Sequence, residues 1–182
     1  KELQIIALST SESSPGNYVL VMEEMESKLR LPVIIGAFEA QAIAVYIERM
    51  NLPRPLTHDL FKNSLQALGA VVTEVLIHSL TDSTFHAWMV VQTKEGTEQK
   101  IDARPSDAIA VGIRYDCPIY VYDFVLHEAG IAESEKKLNL LKGSLAAYSL
   151  QELAELLNDI LAKEDYESAA KIRDLIERRK SK

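Results

Sequence analysis

Apolar and polar residues alternate along the first part of the chain, over residues 2–9 and 17–25. The polar stretch between these two segments contains Pro15 and Gly16, which are typical of a turn. This pattern predicts an antiparallel pair of strands. A short apolar run at 31–35, which ends before Gly36, predicts a third strand.

The spacing of apolar residues then changes to that of helices. Apolar residues recur on one face over 38–50 and predict a first helix. A second helix is predicted from Thr57, a good N-cap residue, to about Gly69, which suits a C-terminal stop. A third is predicted from Pro105 to about Tyr115, because proline is well tolerated in a first turn.

The remaining segments before residue 131 predict further strands. Residues 71–80, 85–93 and 98–103 alternate and are separated by turn residues, which predicts an antiparallel meander, and residues 118–122 predict one more strand. The expected fold is therefore α+β: a largely antiparallel sheet with packed helices, followed by a C-terminal α-helical hairpin. We assign residues 1–131 to this α+β domain.

The C-terminal part of the sequence has a different character. Residues 132–148 are mixed and include Lys-Gly-Ser around Gly143, which predicts a linker. Over 149–182 leucine and isoleucine recur at helical spacing with one interruption, which predicts the helical hairpin. So short a hairpin leaves apolar surface uncovered. We expect it to bind a protein partner through Leu153, Leu157, Ile172 and Ile176.

Composition sets the class of protein. The chain has 182 residues, 47% of them hydrophobic, which is enough for a domain with a core and an appendage. The single cysteine, Cys117, cannot form an internal disulfide and is expected to be a small buried hydrophobe. With no positively charged leader and no apolar run of about 20 residues, we expect a cytoplasmic protein without a membrane span.

The formal net charge of −7 argues against tight, passive binding to nucleic acid. Proteins that bind nucleic acid regardless of sequence usually neutralise phosphates with a basic face. An enzyme needs only transient contact, so a few arginines or bound cations in a cleft would be enough. The charge therefore constrains the mode of binding.

Two polar segments carry the candidate chemistry, and each of them opens a predicted helix. They are Pro-Arg-Pro-Leu-Thr-His-Asp-Leu at 53–60 and Ile-Asp-Ala-Arg-Pro-Ser-Asp-Ala-Ile-Ala at 101–110. Carboxylates can hold a metal, an imidazole can move a proton, and guanidinium groups can bind phosphate. The two segments supply all three kinds of group, in Arg54, His58, Asp59, Asp102, Arg104 and Asp107.

The second segment forms the better constellation. Residues two apart on a strand face the same way, so we expect Asp102 and Arg104 to project together, with Asp107 in the first turn of the following helix. The alternative is that Arg104 forms an internal salt bridge between strand and helix. In the first segment, His58 is a candidate base or a solvated residue, and Asp59 is a candidate ligand or an acid that stabilises the helix dipole.

Two further residues have open roles. Arg54 lies between two prolines and could present a rigid guanidinium to phosphate, or it could form an ion pair. Glu39, early in the first helix, could join the carboxylates, but a first-turn acid that stabilises its helix is the simpler interpretation.

Three segments together resemble a known family. With Pro-Val-Ile-Ile-Gly-Ala-Phe-Glu-Ala-Gln-Ala-Ile-Ala at 32–44, the two polar segments resemble the signature of the bifunctional nuclease domain over about residues 3–128. The resemblance implies DNase and RNase activity and a wedge-shaped homotrimer. The segment 164–176, Glu-Asp-Tyr-Glu-Ser-Ala-Ala-Lys-Ile-Arg-Asp-Leu-Ile, resembles the UVR motif, a hairpin with which excision-repair proteins contact partners.

We therefore predict a nuclease that acts on DNA and RNA with the help of a divalent cation, Mg²⁺ or Mn²⁺. Asp102 and Asp107, with Asp59, would hold the cation and His58 would transfer a proton. Arg104, together with Arg54, would bind substrate phosphate and stabilise its developing charge. The alternative is a non-catalytic regulatory or scaffold module that oligomerises and recruits a partner through the hairpin.

Overall fold

The computed structural model describes residues 1–11 and 14–132, together with Arg173 and Ile176. The chain divides into two units, Lys1–Glu133 and Ser134–Lys182. Arg173 is helical and exposed, and Ile176 is helical and buried. The rest of the predicted linker and hairpin lies outside the described residues, apart from residue 132, so both stay predictions. The fold below is that of the first unit.

Seven strands of the described residues form one sheet. They are β1 (Glu2–Thr10), β2 (Tyr18–Glu24), β3 (Arg30–Ile35), β4 (Val71–Thr81), β5 (Thr84–Gln92), β6 (Glu98–Ala103) and β7 (Ile119–Val121). The order across the sheet is β3-β2-β1-β7-β4-β5-β6. Neighbouring strands are antiparallel except β4 and β7, which are parallel. The largely antiparallel sheet is thus confirmed.

Four helices accompany the sheet in the described part of the chain. They are α1 (Ala37–Ile47), α2 (Thr57–Ala67), α3 (Pro105–Gly112) and α4 (Asp123–Ala129). The first three were expected, which confirms the α+β class, and α3 continues as a 3₁₀ turn over Ile113–Tyr115. The fourth has only seven residues, too few for its apolar spacing to repeat.

The start of α2 differs slightly from the expectation. Its N-cap is Leu56, so Thr57 is already helical. The carboxylate of Asp59 accepts a hydrogen bond from the backbone N–H of Leu56 at 2.8 Å. A first-turn acid thereby takes the place of a capping hydroxyl.

Strand β7 is short and buried, and it joins the two halves of the sheet. Ile119 lies opposite Leu3 of β1 on one side and Val75 of β4 on the other. Parallel strands need a crossover connection, and α3 lies within the connection that leads from the meander to β7. Helix α3 packs against β4 and β5, on the meander half of the sheet.

Helix α3 packs closely on the sheet because its sequence is apolar and small. Ile109 is fully buried among core residues that include Ala87 and Met89 of β5. At Gly112 a Cβ atom would lie 2.6 Å from Cγ2 of Val75, so only glycine allows this approach. Helices α1 and α2 both contact α3. Because α3 packs closely on the sheet and α1 and α2 contact α3, this packing sets the positions at which the three helices begin.

Candidate active site

Polar side chains from the first turns of α1, α2 and α3 meet at one place. Glu39 lies in the first turn of α1, His58 in that of α2 and Asp107 in that of α3. Arg104 is the residue immediately before α3 and is its N-cap. These four residues, Glu39, His58, Arg104 and Asp107, are called the helix-start cluster below.

The cluster is connected by ion pairs. Arg104 donates from Nε to Oδ2 of Asp107 at 2.7 Å and from Nη2 to Oε1 of Glu39 at 2.5 Å. The other carboxylate oxygen of Asp107, Oδ1, lies 3.3 Å from Nε2 of His58. The carboxylates of Asp107 and then Glu39 raise the pKa of Arg104. Asp107 therefore holds His58 and Arg104 with separate oxygen atoms.

Gly36 makes room for this arrangement. A Cβ atom at this position would collide with the carboxylate of Glu39. Because glycine has none, the Glu39 side chain can fold back over the start of its own helix and still meet Arg104. The glycine that ends the apolar run at 31–35 thus has a role in the site as well as in the turn.

The members of the cluster differ in their access to solvent. The Arg104 side chain is 68% exposed, whereas that of His58 is only 14% exposed. Within the part of the chain that the structure describes, the third guanidinium nitrogen of Arg104, Nη1, makes no hydrogen bond. The site therefore presents an accessible cation beside a sheltered imidazole, an arrangement suited to binding an anion next to a proton acceptor.

The charges of the cluster nearly balance when the helices are included. Glu39 and Asp107 carry two negative charges against the one positive charge of Arg104 when His58 is neutral. Each helix N-terminus adds about half a positive charge, and three helices begin at this cluster. The partial charges of the backbone thus offset the excess of acid, and the backbone N–H groups can help to bind an anion.

Asp59 is held in a different contact, by a residue that the sequence analysis did not single out. Its Oδ1 accepts from Nε of Arg114 at 2.5 Å, and its Oδ2 accepts the Leu56 N–H. Burial opposes ionisation of this carboxyl, but Arg114 and the Leu56 N–H outweigh it and hold the pKa of Asp59 below its ordinary value. Asp59 is therefore a structural acid in this arrangement.

Arg114 itself is buried and fully engaged. Its side chain is 2% exposed, and its two Nη atoms donate to the backbone carbonyls of Ala110 at 2.6 Å and Ala42 at 3.1 Å. A signal was present in the sequence, because Arg114 directly follows the apolar run 108–113, a segment expected to be buried. A buried arginine must be paired. The run therefore implied an acid nearby.

Asp102 does not join the cluster. It pairs in register with Trp88 of β5, whereas the next residue, Ala103, packs towards the core. Successive side chains of a strand face opposite sides, so Asp102 faces away from α3. We expected Asp102 and Arg104 to project together, but β6 ends at Ala103 and Arg104 already caps the helix.

Asp102 instead lies near a pair of histidines on the outer side of the sheet. His78 stacks on Trp88 with ring centroids 4.0 Å apart. Burial and the neighbouring His86 lower the pKa of His78, and the charge of Asp102 opposes them. Asp102 is thus part of an aromatic surface that is separate from the helix-start cluster.

Arg54 also lies outside the cluster. It is exposed in the segment before α2 and lines a cleft of about 950 Å³, which Asp59 and Arg114 line as well. Asp59, which follows His58 in the first turn of α2, lines this cleft and pairs with Arg114. The six residues expected in one site fall into three places.

A three-carboxylate metal site does not fit this arrangement. Asp59 is bound by Arg114, Asp107 by Arg104 and His58, and Asp102 lies on the other side of the sheet. Among residues 1–11 and 14–132, no group of three or more His, Cys, Asp or Glu side chains is placed to hold a metal ion.

None of the described helices has the length and apolar character needed to cross a membrane.

Comparison with known proteins places this α+β domain in a family. Residues 20–134, more than half of the chain, match the bifunctional nuclease domain, and the chain belongs to that family. An uncharacterized protein of Mycobacterium tuberculosis is 37% identical over 130 residues, which cover 71% of this chain and 76% of that protein.

Two rice proteins are more distant relatives. Bifunctional nuclease 1 of Oryza sativa subsp. japonica is 24% identical over 127 residues, covering 68% of this chain and 38% of the rice protein. Bifunctional nuclease 2 of the same subspecies is 27% identical over 127 residues, covering 68% and 39%. The shared region is thus less than half of either rice protein.

Proposed function

We propose that the protein is a nuclease that hydrolyses phosphodiester bonds in DNA and RNA, with the helix-start cluster as its active site. The observation that carries the proposal is the contact of 3.3 Å between His58 Nε2 and Asp107 Oδ1, next to the exposed guanidinium of Arg104. Membership of the bifunctional nuclease domain family and the names of the two rice relatives support it.

In the proposed reaction, His58 is the general base. Asp107 accepts the Nε2–H of the imidazole and so leaves Nδ1 to take a proton from the attacking water. The carboxylate also stabilises the imidazolium that forms. The P–O bond to the leaving sugar oxygen breaks as the bond to water forms, solvent protonates that oxygen, and the imidazolium returns its proton to solvent. Because His58 is largely sheltered, this interaction acts in a medium less screened than bulk water.

Arg104 binds the phosphate in this scheme. Its Nη1 donates to a non-bridging oxygen, while Glu39 and Asp107 fix the plane of the guanidinium through the other two nitrogens. Negative charge grows on the phosphate oxygens as water attacks, so a preorganised guanidinium stabilises the transition state. The N–H groups at the helix starts add to this effect.

The divalent cation expected from the sequence stays a separate proposal. Asp59, Asp102 and Asp107 do not converge, so we assign them no joint ligand role. Proton transfer at His58 and phosphate binding at Arg104 are argued from the contacts of these residues alone. Dependence on Mg²⁺ or Mn²⁺ has to be measured directly.

The decisive experiment replaces His58 and compares it with a matched histidine. His58→Gln should lose at least about a hundredfold of the cleavage rate on single-stranded RNA and plasmid DNA, since general bases contribute about 10²–10⁴-fold. His127→Gln is the control, because His127 lies 3.4 Å from Asp123 in an exposed pair on α4. Identical purification excludes a contaminating nuclease, and full activity of His58→Gln with an unchanged fold would overturn the proposal.

A second candidate function is a non-catalytic scaffold. The observation that favours it is that Arg104 bridges Glu39 of α1 and Asp107 of α3, so the same contacts hold two helices together. In that case His58→Gln and wild-type protein would be equally inactive on nucleic acid. Cleavage that depends on His58 separates the two functions.

We further propose that the protein assembles as a homotrimer. The sheet of the described residues has two edge strands, β3 and β6, and exposed edges are commonly covered by self-association. Light scattering at micromolar concentration should give three times the chain mass of 20.3 kDa. A monomer mass would refute this assembly.

The C-terminal hairpin is proposed to bind a protein partner through Leu153, Leu157, Ile172 and Ile176. Its acidic and basic residues alternate, which cancels most of its field and argues against a nucleic-acid contact. Deleting residues 150–182 should preserve cleavage and abolish partner capture. A truncated protein without cleavage would place the hairpin in the catalytic unit.

A further inference from the structure

A cleft of about 950 Å³ lies beside the end of α1 and the segment that follows it. We call it the α1 cleft, and its lining includes Tyr46, Arg49, Met50, Arg54, Ile113 and Cys117. Sites for small molecules commonly measure about 300–1,000 Å³, so the α1 cleft can hold a molecule of that class. Its lining includes Asp59 of α2, the helix whose first turn also carries His58.

Two arginines give the cleft its positive charge. Arg49 and Arg54 are exposed, and neither side chain makes a hydrogen bond or an ion pair within the part of the chain that the structure describes. Arg114 also lines the cleft, but all three of its guanidinium nitrogens already donate to Asp59, Ala42 and Ala110. The cations available to a ligand are therefore Arg49 and Arg54.

The chain turns sharply at Arg49, immediately after α1. The φ of Arg49 is 51°, in the left-handed region that favours glycine after a helix. The N–H groups of Arg49 and Met50 donate to the carbonyls of Tyr46 and Val45, which closes the end of α1. This turn places Arg49 in the lining of the α1 cleft.

The rest of the lining has polar and apolar parts, and the carboxylate of Asp116, which accepts the Tyr46 hydroxyl at 3.0 Å, adds one negative charge. Met50 is 56% exposed, and Leu52 and Ile113 also line the cleft. Burial raises the pKa of the Cys117 thiol to about 11, so this residue is neutral near pH 7. An apolar wall beside two cations suits a ligand with a flat, weakly polar part and a phosphate.

We propose that the α1 cleft binds one nucleoside phosphate unit, with its phosphate on Arg49 and Arg54 and its base on the apolar wall near Met50. The link to catalysis rests on the proposed function: a strand cleaved at the helix-start cluster would place a neighbouring nucleotide in the cleft. Free nucleotides have the same chemistry, so the experiment must separate the two sources.

The sole cysteine of the chain, Cys117, reports on the cleft without any measurement of cleavage. Labelling by a maleimide at pH 9 should slow at least fivefold in the presence of 5′-AMP, whereas inorganic phosphate alone should not protect. A single-stranded oligonucleotide that protects at lower concentration than 5′-AMP assigns the cleft to a strand, and the reverse order assigns it to a free nucleotide. Lack of protection by either would overturn the inference.

Calorimetric titration with 5′-AMP gives a second measurement that does not depend on the reactivity of Cys117. The double variant Arg49→Gln, Arg54→Gln should weaken 5′-AMP binding at least tenfold. Lys94→Gln is the matched control, because Lys94 is exposed and does not line the cleft. Unchanged affinity in the double variant would contradict the assignment of the two arginines.

Nucleotide binding in the cleft and cleavage through His58 can be tested independently of each other. A wild-type protein that binds 5′-AMP in the cleft but cleaves neither RNA nor DNA would overturn the nuclease and support the site. A protein that cleaves through His58 but binds no nucleotide by either measurement would overturn the site and leave the nuclease intact. If His58→Gln still binds 5′-AMP, the nucleotide site is distinct from the proposed general base, His58.

Discussion

Arg114 and Asp59 form an ion pair whose Nε and Oδ1 atoms are 2.5 Å apart, and the arginine side chain is only 2% exposed. The same guanidinium donates to the carbonyls of Ala42 in α1 and Ala110 in α3, while Asp59 belongs to α2. One buried side chain thus connects the three helices whose first turns make up the helix-start cluster. The positions of His58 and Asp107 depend on it.

We expect Arg114→Met to destabilise the fold by about 3–5 kcal/mol, because it leaves the Asp59 carboxylate without its partner in a partly buried place. Urea unfolding followed by circular dichroism measures the loss. Lys28→Met is the control, since Lys28 is half exposed and lies 3.7 Å from Glu23, a surface pair expected to contribute about 1 kcal/mol or less. Equal losses in the two variants would contradict a structural role for Arg114.

Two aspartates of one polar segment should behave differently. Asp107→Asn should lower cleavage by about a hundredfold or more, because it removes the charge that orients and supports His58. The loss of cleavage rate in Asp102→Asn should be at least tenfold smaller than in Asp107→Asn, since Asp102 lies on the other side of the sheet. Initial rates on the same RNA and DNA substrates measure both. A larger loss in Asp102→Asn would return this residue to the active site.

The stability of the fold should fall in acid because of Glu24. Its buried carboxylate accepts hydrogen bonds from the hydroxyl and the N–H of Ser27 and from the N–H of Glu26, and these lower its pKa from 4.5 to about 2. A group whose pKa is lower in the folded state stabilises it above the unfolded pKa. This stabilisation is lost as the pH falls from 4.5 towards about 2.

Glu24→Gln should therefore be less stable than wild type at neutral pH, and the two should approach each other in stability as the pH falls to about 2. Urea midpoints measured across this range test the prediction. Glu95→Gln is the control, because Glu95 is exposed in the turn between β5 and β6. A constant difference between Glu24→Gln and wild type at every pH would contradict the assignment.

Chelation tests whether cleavage requires a divalent cation. If cleavage needs Mg²⁺ or Mn²⁺, treatment with EDTA should abolish it and either ion should restore it. Because Asp102 is separated from Asp107, Asp102→Asn and wild type should regain cleavage at Mg²⁺ concentrations within about twofold of each other. Removing a side chain that binds the metal directly would weaken metal binding much more. Cleavage that persists in EDTA would remove the cation from the scheme.

The elements that the sequence predicted are those whose pattern is local. The strands near 2–9 and 17–25 and the helix that begins at Pro105 all show a repeated spacing, and each is present close to its expected bounds. Strand 118–122 was also expected, but its place between β1 and β4 was not, because three apolar residues carry no information about their partners. Helix α4 was too short to show a period.

The site was predictable in part for a related reason. Arg104 and Asp107 are three residues apart at a helix start, so their contact follows from local geometry, as does the first-turn position of His58. The contact of Glu39 with Arg104 spans 65 residues, and that of Arg114 with Asp59 spans 55. Pairings of this kind are set by how the helices pack, and only the fold reveals them.

The central position of β7 has a consequence for synthesis on the ribosome. In the described sheet, β1 to β3 reach the meander of β4 to β6 only through Ile119–Val121, and the N–H of Val121 bonds the carbonyl of Lys1 at 2.8 Å. Strand pairing therefore cannot join the two halves of the sheet until the nascent chain has emerged past residue 121. Because the closing contacts join residues far apart in sequence, closure of the sheet should be the slow step of folding.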